Sequence, residues 1–141
     1  MAVRVKIEIV VGGRTLELVA LANSGYEAET AQLLVPIRVA ELLGLWPPEG
    51  AIESTYETAG GPLRTWVYAR RCRVRLEAEG AEPVEAVADL AISPIADEVL
   101  INDKLIGELQ IVLEDAGKGL WRLRGDPPTR LRPSEPPKYW K

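Results

Sequence analysis

Val3, Val5, Ile7, Ile9 and Val11 alternate with Arg4, Lys6 and Glu8 at the start of the chain. A period of two marks a half-buried strand, because successive side chains of extended backbone point to opposite faces. Gly12-Gly13 supplies a hairpin turn, and Thr15 to Ala22 returns as a second, more continuously apolar strand. The polar triplet Asn23-Ser24-Gly25 then breaks the run. Pro36 suits the first position of a helix, predicted over Ile37 to Leu43 and stopped by Gly44. Trp46-Pro47-Pro48 closes this first unit.

From Ile52 the β pattern resumes. Glu53 to Thr58 and Leu63 to Ala69 flank Ala59-Gly60-Gly61-Pro62, which predicts a hairpin with a flexible, Gly-rich tip. Arg71 to Glu77 alternates, with Cys72, Val74 and Leu76 on one face and Arg71, Arg73 and Arg75 on the other. A turn over Glu79 to Pro83 leads to a strand from Val84 to Ile92. The short apolar run Val99-Leu100-Ile101 precedes a helix over Asp103 to Leu109, capped by Asn102 or Asp103. Ile111 to Leu113 and Leu120 to Leu123 make a last hairpin around Ala116-Gly117-Lys118-Gly119. The expected fold class is mainly β, a closed or partly closed barrel of roughly eight short strands with two short helices. Five of the eleven prolines fall between Gly125 and Lys141. Residues 1–124 are therefore expected to fold as the domain, with 125–141 a polyproline-like or disordered Pro-rich tail.

Composition narrows the chemistry. At 141 residues with 47% apolar side chains, the chain is sized to bury one core. Its net charge of −4 argues against a nucleic-acid partner. The stripe Arg70, Arg71, Arg73 and Arg75 reads as a solvated strand face balanced by Glu77, Glu79 and Glu82. No apolar run is long enough to span a membrane, so a cytoplasmic protein without a signal peptide or membrane partner is expected. The chain has no His, and Cys72 is its only cysteine. Ser-His-Asp and Cys-His catalysis, His-based zinc sites and intrachain disulfides are excluded, and no cofactor or metal is expected. Cys72 reads as a small strand residue. Two Asn, two Gln, one Cys and one Met beside 16 Glu and 12 Arg follow the composition of thermophile proteins.

Two segments share a plan. Val19-Ala20-Leu21-Ala22-Asn23-Ser24-Gly25 is followed by Val35-Pro36-Ile37-Arg38-Val39-Ala40-Glu41-Leu42-Leu43-Gly44-Leu45. Val87 to Ile92 is followed by Val99-Leu100-Ile101-Asn102 and the second helix, with the Gly-tipped hairpin between the halves. This order resembles the retropepsin-like aspartic proteases, the retroviral type. It is most similar to small prokaryotic stand-alone members with Leu-Pro-x-x-x-Ala-x-x-Leu-Gly-Leu after the triplet. The likeness covers about residues 3–124.

The resemblance implies an acid-protease barrel, a homodimer with one cleft at its axis, and an extended peptide or unfolded segment as ligand. It puts Asn23 at the catalytic aspartate position, Ser24 at the residue that cross-links the two loops, and Gly25 at the sharp turn. Ala59, Gly60 and Gly61 become the flap tip that closes over the peptide. Asn102 stands where the family usually has glycine, a mild change if that position needs positive φ. The change at Asn23 is severe, because the chemistry needs two carboxylates sharing one proton and an amide takes no proton from water. None of Asp89, Asp97, Asp103, Asp115 and Asp126 is followed by Thr/Ser-Gly. An aspartic endopeptidase homologue, inactive as written, is the expectation; the alternative is a non-catalytic peptide- or protein-binding β-barrel module.

Overall fold

The N-terminal alternation becomes β1 (Arg4–Val11), which pairs antiparallel with β2 (Arg14–Ala22) through the Gly12-Gly13 turn. The computed structural model describes residues 2–58 and 61–140, with the backbone alone for 56–58. After β2 come β3 (Gln32–Pro36), α1 (Ile37–Leu42), β4 (Ile52–Thr58), β5 (Gly61–Leu76), β6 (Val84–Ser93) and β7 (Val99–Ile101). The chain continues through α2 (Asp103–Glu108), β8 (Ile111–Asp115), β9 (Leu120–Leu123) and β10 (Arg132–Pro133).

One sheet runs in the order β1-β2-β7-β3-β6-β5-β4, and β1 also pairs with β5. That second pairing closes six strands into a barrel and leaves β4 outside, attached to the first half of β5. Ile7, Ile9, Leu33, Leu76, Leu90, Ile92 and Ile101 fill the interior with no measurable exposure or nearly none. The expected mainly-β closed barrel with two short helices is the fold observed.

Three local features depart from the sequence reading. All five residues of β3 are buried, and it lies between β6, to which it is parallel, and β7, to which it is antiparallel. A strand covered on both faces shows no alternation, so its pattern merged with the helix that follows. Pro36 ends this strand and is the N-cap of α1, with φ −65 and ψ 161, and is not its first helical residue. The expected strands around Ala69 and Arg70 are one strand, β5, bent at a bulge between Tyr68 and Cys72. There Arg70 adopts φ 49, and its N–H donates to Asp89 Oδ1 at 2.8 Å.

The β5 register also sets where the hairpin goes. Trp66 is the first β5 residue paired with β6, opposite Ile92, while Gly61 to Thr65 pair only with β4. Five residues of extended backbone carry the hairpin about 16 Å past that pairing.

The tail is not a frayed extension over its described residues. Pro127 and Pro128 lead to β10, which pairs with β9 and completes a three-stranded sheet with β8. Arg132 pairs with Asp126 at 2.8 Å, donates to the Glu79 carbonyl, and stacks 5.7 Å from the Trp121 ring. Ser134 Oγ accepts from Arg4 N at 2.7 Å, and Glu135 N donates to the Arg4 carbonyl at 2.8 Å. Trp140 N donates to the Asp97 carbonyl, and its ring packs on the core. Prolines limit the ladder to the two residues of β10, and side-chain anchors and isolated backbone bonds order the rest of the segment. Among the described residues no helix is long and apolar enough to cross a membrane.

Candidate functional site

The Asn23-Ser24-Gly25 triplet forms a tight turn at the end of β2. β2 and β7 run parallel, with Ala22 opposite Ile101, and Asn23 N extends the pairing by donating to the Ile101 carbonyl at 3.0 Å. Asn23 Oδ1 accepts from Gly25 N at 3.0 Å, and the Asn23 carbonyl accepts from Tyr26 N at 3.1 Å. A short amide side chain that bonds the backbone two residues on is the ordinary closure of such a turn. Gly25 suits this geometry because a Cβ there would lie 3.3 Å from Asn23 Oδ1.

Asn23 is half-buried, whereas Ser24 and Gly25 are exposed. Asn23 and Ser24 line a shallow cleft of about 260 Å³ with Ala2, Val3, Leu21, Ala22, Leu113 and Ala116. None of those side chains ionises. The cleft therefore offers an amide, a hydroxyl and apolar walls, which bind by hydrogen bonding and contact but cannot move a proton at ordinary pH.

Behind the turn sits a buried polar knot. Asn102 is fully buried; its Oδ1 accepts from Gln32 N at 2.8 Å and Leu105 N at 3.0 Å, and its Nδ2 donates to the Thr30 carbonyl at 2.8 Å. Its backbone is extended, with φ −86 and ψ 179, so the expected positive φ is not what this position uses. The side chain instead caps α2 and ties it to the start of β3. A second chain of bonds runs from Tyr26 Oη to Gln32 Oε1 (2.6 Å), Gln32 Nε2 to Thr30 Oγ1 (3.2 Å) and Thr30 Oγ1 to Asp89 Oδ2 (2.7 Å). Asp89, which also holds the β5 bulge, thus connects that bulge to the loop after Asn23.

The structure brings Asn23, Ser24 and Gly25 into one turn. Ala59 and Gly60 lie outside the described residues. Gly61 opens β5 with φ 109, a conformation suited to glycine. Among the described residues, none from the β4–β5 hairpin lines the Asn23 cleft.

Sequence reasoning missed Leu113 and Ala116, which reach the cleft from the β8–β9 hairpin, and the Tyr26–Gln32 bond. The lone Gln32 ahead of an apolar run was the available signal for the second.

The remaining candidates have structural roles. Cys72 is buried, and burial pushes its thiol up to about 12, far from a reactive thiolate. No group of three metal-ligating side chains occurs among the described residues. Arg75 stands opposite Glu8 and Glu85, and Arg71 lies 4.7 Å over the Tyr68 ring. The acidic strand neighbours of the stripe are Glu8, Glu85 and, at the bulge, Asp89, while the expected Glu77, Glu79 and Glu82 follow β5. Searched against known proteins, the chain matches no family model and no curated sequence.

Proposed function

We propose that the chain forms one half of a two-fold peptide-binding cleft of retropepsin type, with Asn23 in place of the catalytic aspartate. One observation carries this reading. The Asn23-Ser24-Gly25 turn hangs from a parallel β2–β7 pair in a closed barrel that also carries the β4–β5 pair beyond it. A single turn of this kind is half a site, so a second copy supplies the other Asn23. The ligand is an extended peptide or an unfolded protein segment, held by strand addition and by the two hairpins. With amides at the axis the assembly binds and does not cleave. The uncharged cleft favours this non-catalytic role over an active protease.

The test is Asn23→Asp. Two carboxylates within a hydrogen bond of each other cannot both ionise, so one pKa rises and the pair holds a shared proton in moderate acid. The variant is expected to cleave an unfolded protein with a bell-shaped pH profile, blocked by an aspartic-protease transition-state analogue, while the parent does not. A folded, dimeric variant that cleaves nothing at any pH overturns the protease ancestry and leaves a binding module. Sedimentation showing only monomers at micromolar concentration removes the two-fold site altogether.

A further inference from the structure

The two asparagines of this chain sit in opposite chemical settings. Asn102 is fully buried, both ends of its amide are hydrogen-bonded, and the next backbone nitrogen, that of Asp103, donates to the Tyr26 carbonyl at 3.0 Å. Asn23 lies in an open turn and is followed by the small, exposed Ser24. Among the described residues, neither Asn23 Nδ2 nor the Ser24 backbone N–H has a hydrogen-bond partner.

We propose that Asn23 is a self-modification site, where attack by the Ser24 backbone nitrogen converts the amide to a carboxylate without an enzyme. The ring closed by the Gly25 N–H···Oδ1 bond contains both the Ser24 nitrogen and Asn23 Cγ, so nucleophile and electrophile share one tight turn. A bond forms from Ser24 N to Cγ as the N–H proton leaves to a base from solvent. Negative charge gathers on Oδ1, where the Gly25 N–H already donates at 3.0 Å. The Cγ–Nδ2 bond then breaks, and Nδ2 takes a proton from water and departs as ammonia. This leaves a five-membered cyclic imide. One water opens it. Cleavage of the bond between Cγ and nitrogen gives an ordinary aspartate; cleavage at the backbone carbonyl gives the β-linked isomer. The net change is amide plus water to carboxylic acid plus ammonia, with no oxidation or reduction.

Asn102 does not follow this path, because its amide and the nitrogen beside it are held in the folded protein. An ordinary aspartate at position 23 would also restore the missing acid–base group, so age and heat would turn a binding cleft into a cleaving one. That consequence rests on the proposed function; the modification does not.

The experiment is incubation of the full chain at neutral and mildly alkaline pH, followed by tryptic mapping. Peptides 15–38 and 76–104 each carry one asparagine. Peptide 15–38 is expected to gain the mass of an OH-for-NH2 exchange, in both isomers, at a rate that rises with pH. Peptide 76–104 is expected to keep its amide until the chain is unfolded in urea. Ser24→Val, which places a branched side chain beside the attacking nitrogen, is expected to slow conversion about tenfold. Equal rates for the two peptides in the folded protein overturn the proposal. So does an unchanged rate in Ser24→Val, or conversion of 15–38 only after unfolding. Converted protein that is dimeric yet cleaves no unfolded substrate would sink the protease-type reading and leave the modification standing. Conversely, a cleaving Asn23→Asp variant beside an inert parent amide would sink the modification alone.

Discussion

Replacing Asn102 with alanine removes three hydrogen bonds from a fully buried position. The lost cap on α2 costs about 1 kcal/mol. Gln32 N loses its bond to the Asn102 amide in a buried setting, which costs about 1–3 kcal/mol, and the Thr30 carbonyl loses the bond it accepts at about 1 kcal/mol. The sum is about 3–5 kcal/mol, a large share of the roughly 7–20 kcal/mol expected for a domain of this length. Urea unfolding followed by tryptophan fluorescence measures it, with the slope against denaturant confirming that the folded state keeps its surface. Asn102→Asp separates the polar contribution from packing. Its carboxylate accepts from both N–H groups but faces the Thr30 carbonyl, so burial and this contact raise its pKa above the unfolded value. By linkage the aspartate variant is most stable below the unfolded carboxylate pKa and loses stability as pH rises through the folded one. A loss below about 1 kcal/mol in the alanine variant, or an aspartate variant insensitive to pH, would refute the assigned role of the knot.

The tail gives a second pH signature with the opposite sign. The side-chain hydrogen bond from Arg132 holds Asp126 down to about 2, so its contribution is complete above the ordinary carboxylate value of 3.8 and fades as pH falls toward 2. Proteolysis at Lys138 is expected to speed up over that interval, and Arg132→Ala should release the tail even at neutral pH. Cys72 is expected to resist thiol reagents in the native protein and to react at the unfolded rate in urea. A stoichiometric reaction in the folded state would contradict its burial.

Legibility in the sequence followed exposure. β1 and the second half of β5 alternate because one face packs on the core and the other meets water, so their pattern was plain. β3 has no wet face, and its run Gln32-Leu33-Leu34-Val35-Pro36 carried no period to read. The bulge hid the continuity of β5, because an extra residue at Arg70 breaks the alternation there. Pro content suggested a tail without regular structure, yet part of it is the strand β10. What orders the tail is Arg132 on Asp126 and Trp140 on the core, contacts between positions with no periodic relation.

The site shows the same limit at the level of single residues. Asn23 and Asn102 are one residue type, each following a strand, and residue type alone does not separate their chemistry. Fold context does. At 102 the surrounding backbone saturates the amide, and its value is structural: it fastens α2 to β3 behind the turn. At 23 one backbone N–H polarises the carbonyl while the amide nitrogen faces a cleft without a charged group. The first arrangement resists change because every hydrogen bond would have to break before the amide could react. The second has one bond in place, and that bond favours reaction. Position 23 is therefore where this barrel can gain a carboxylate, by substitution or by its own backbone, at little structural cost. The knot at 102 keeps the Asn23 loop in place while it does.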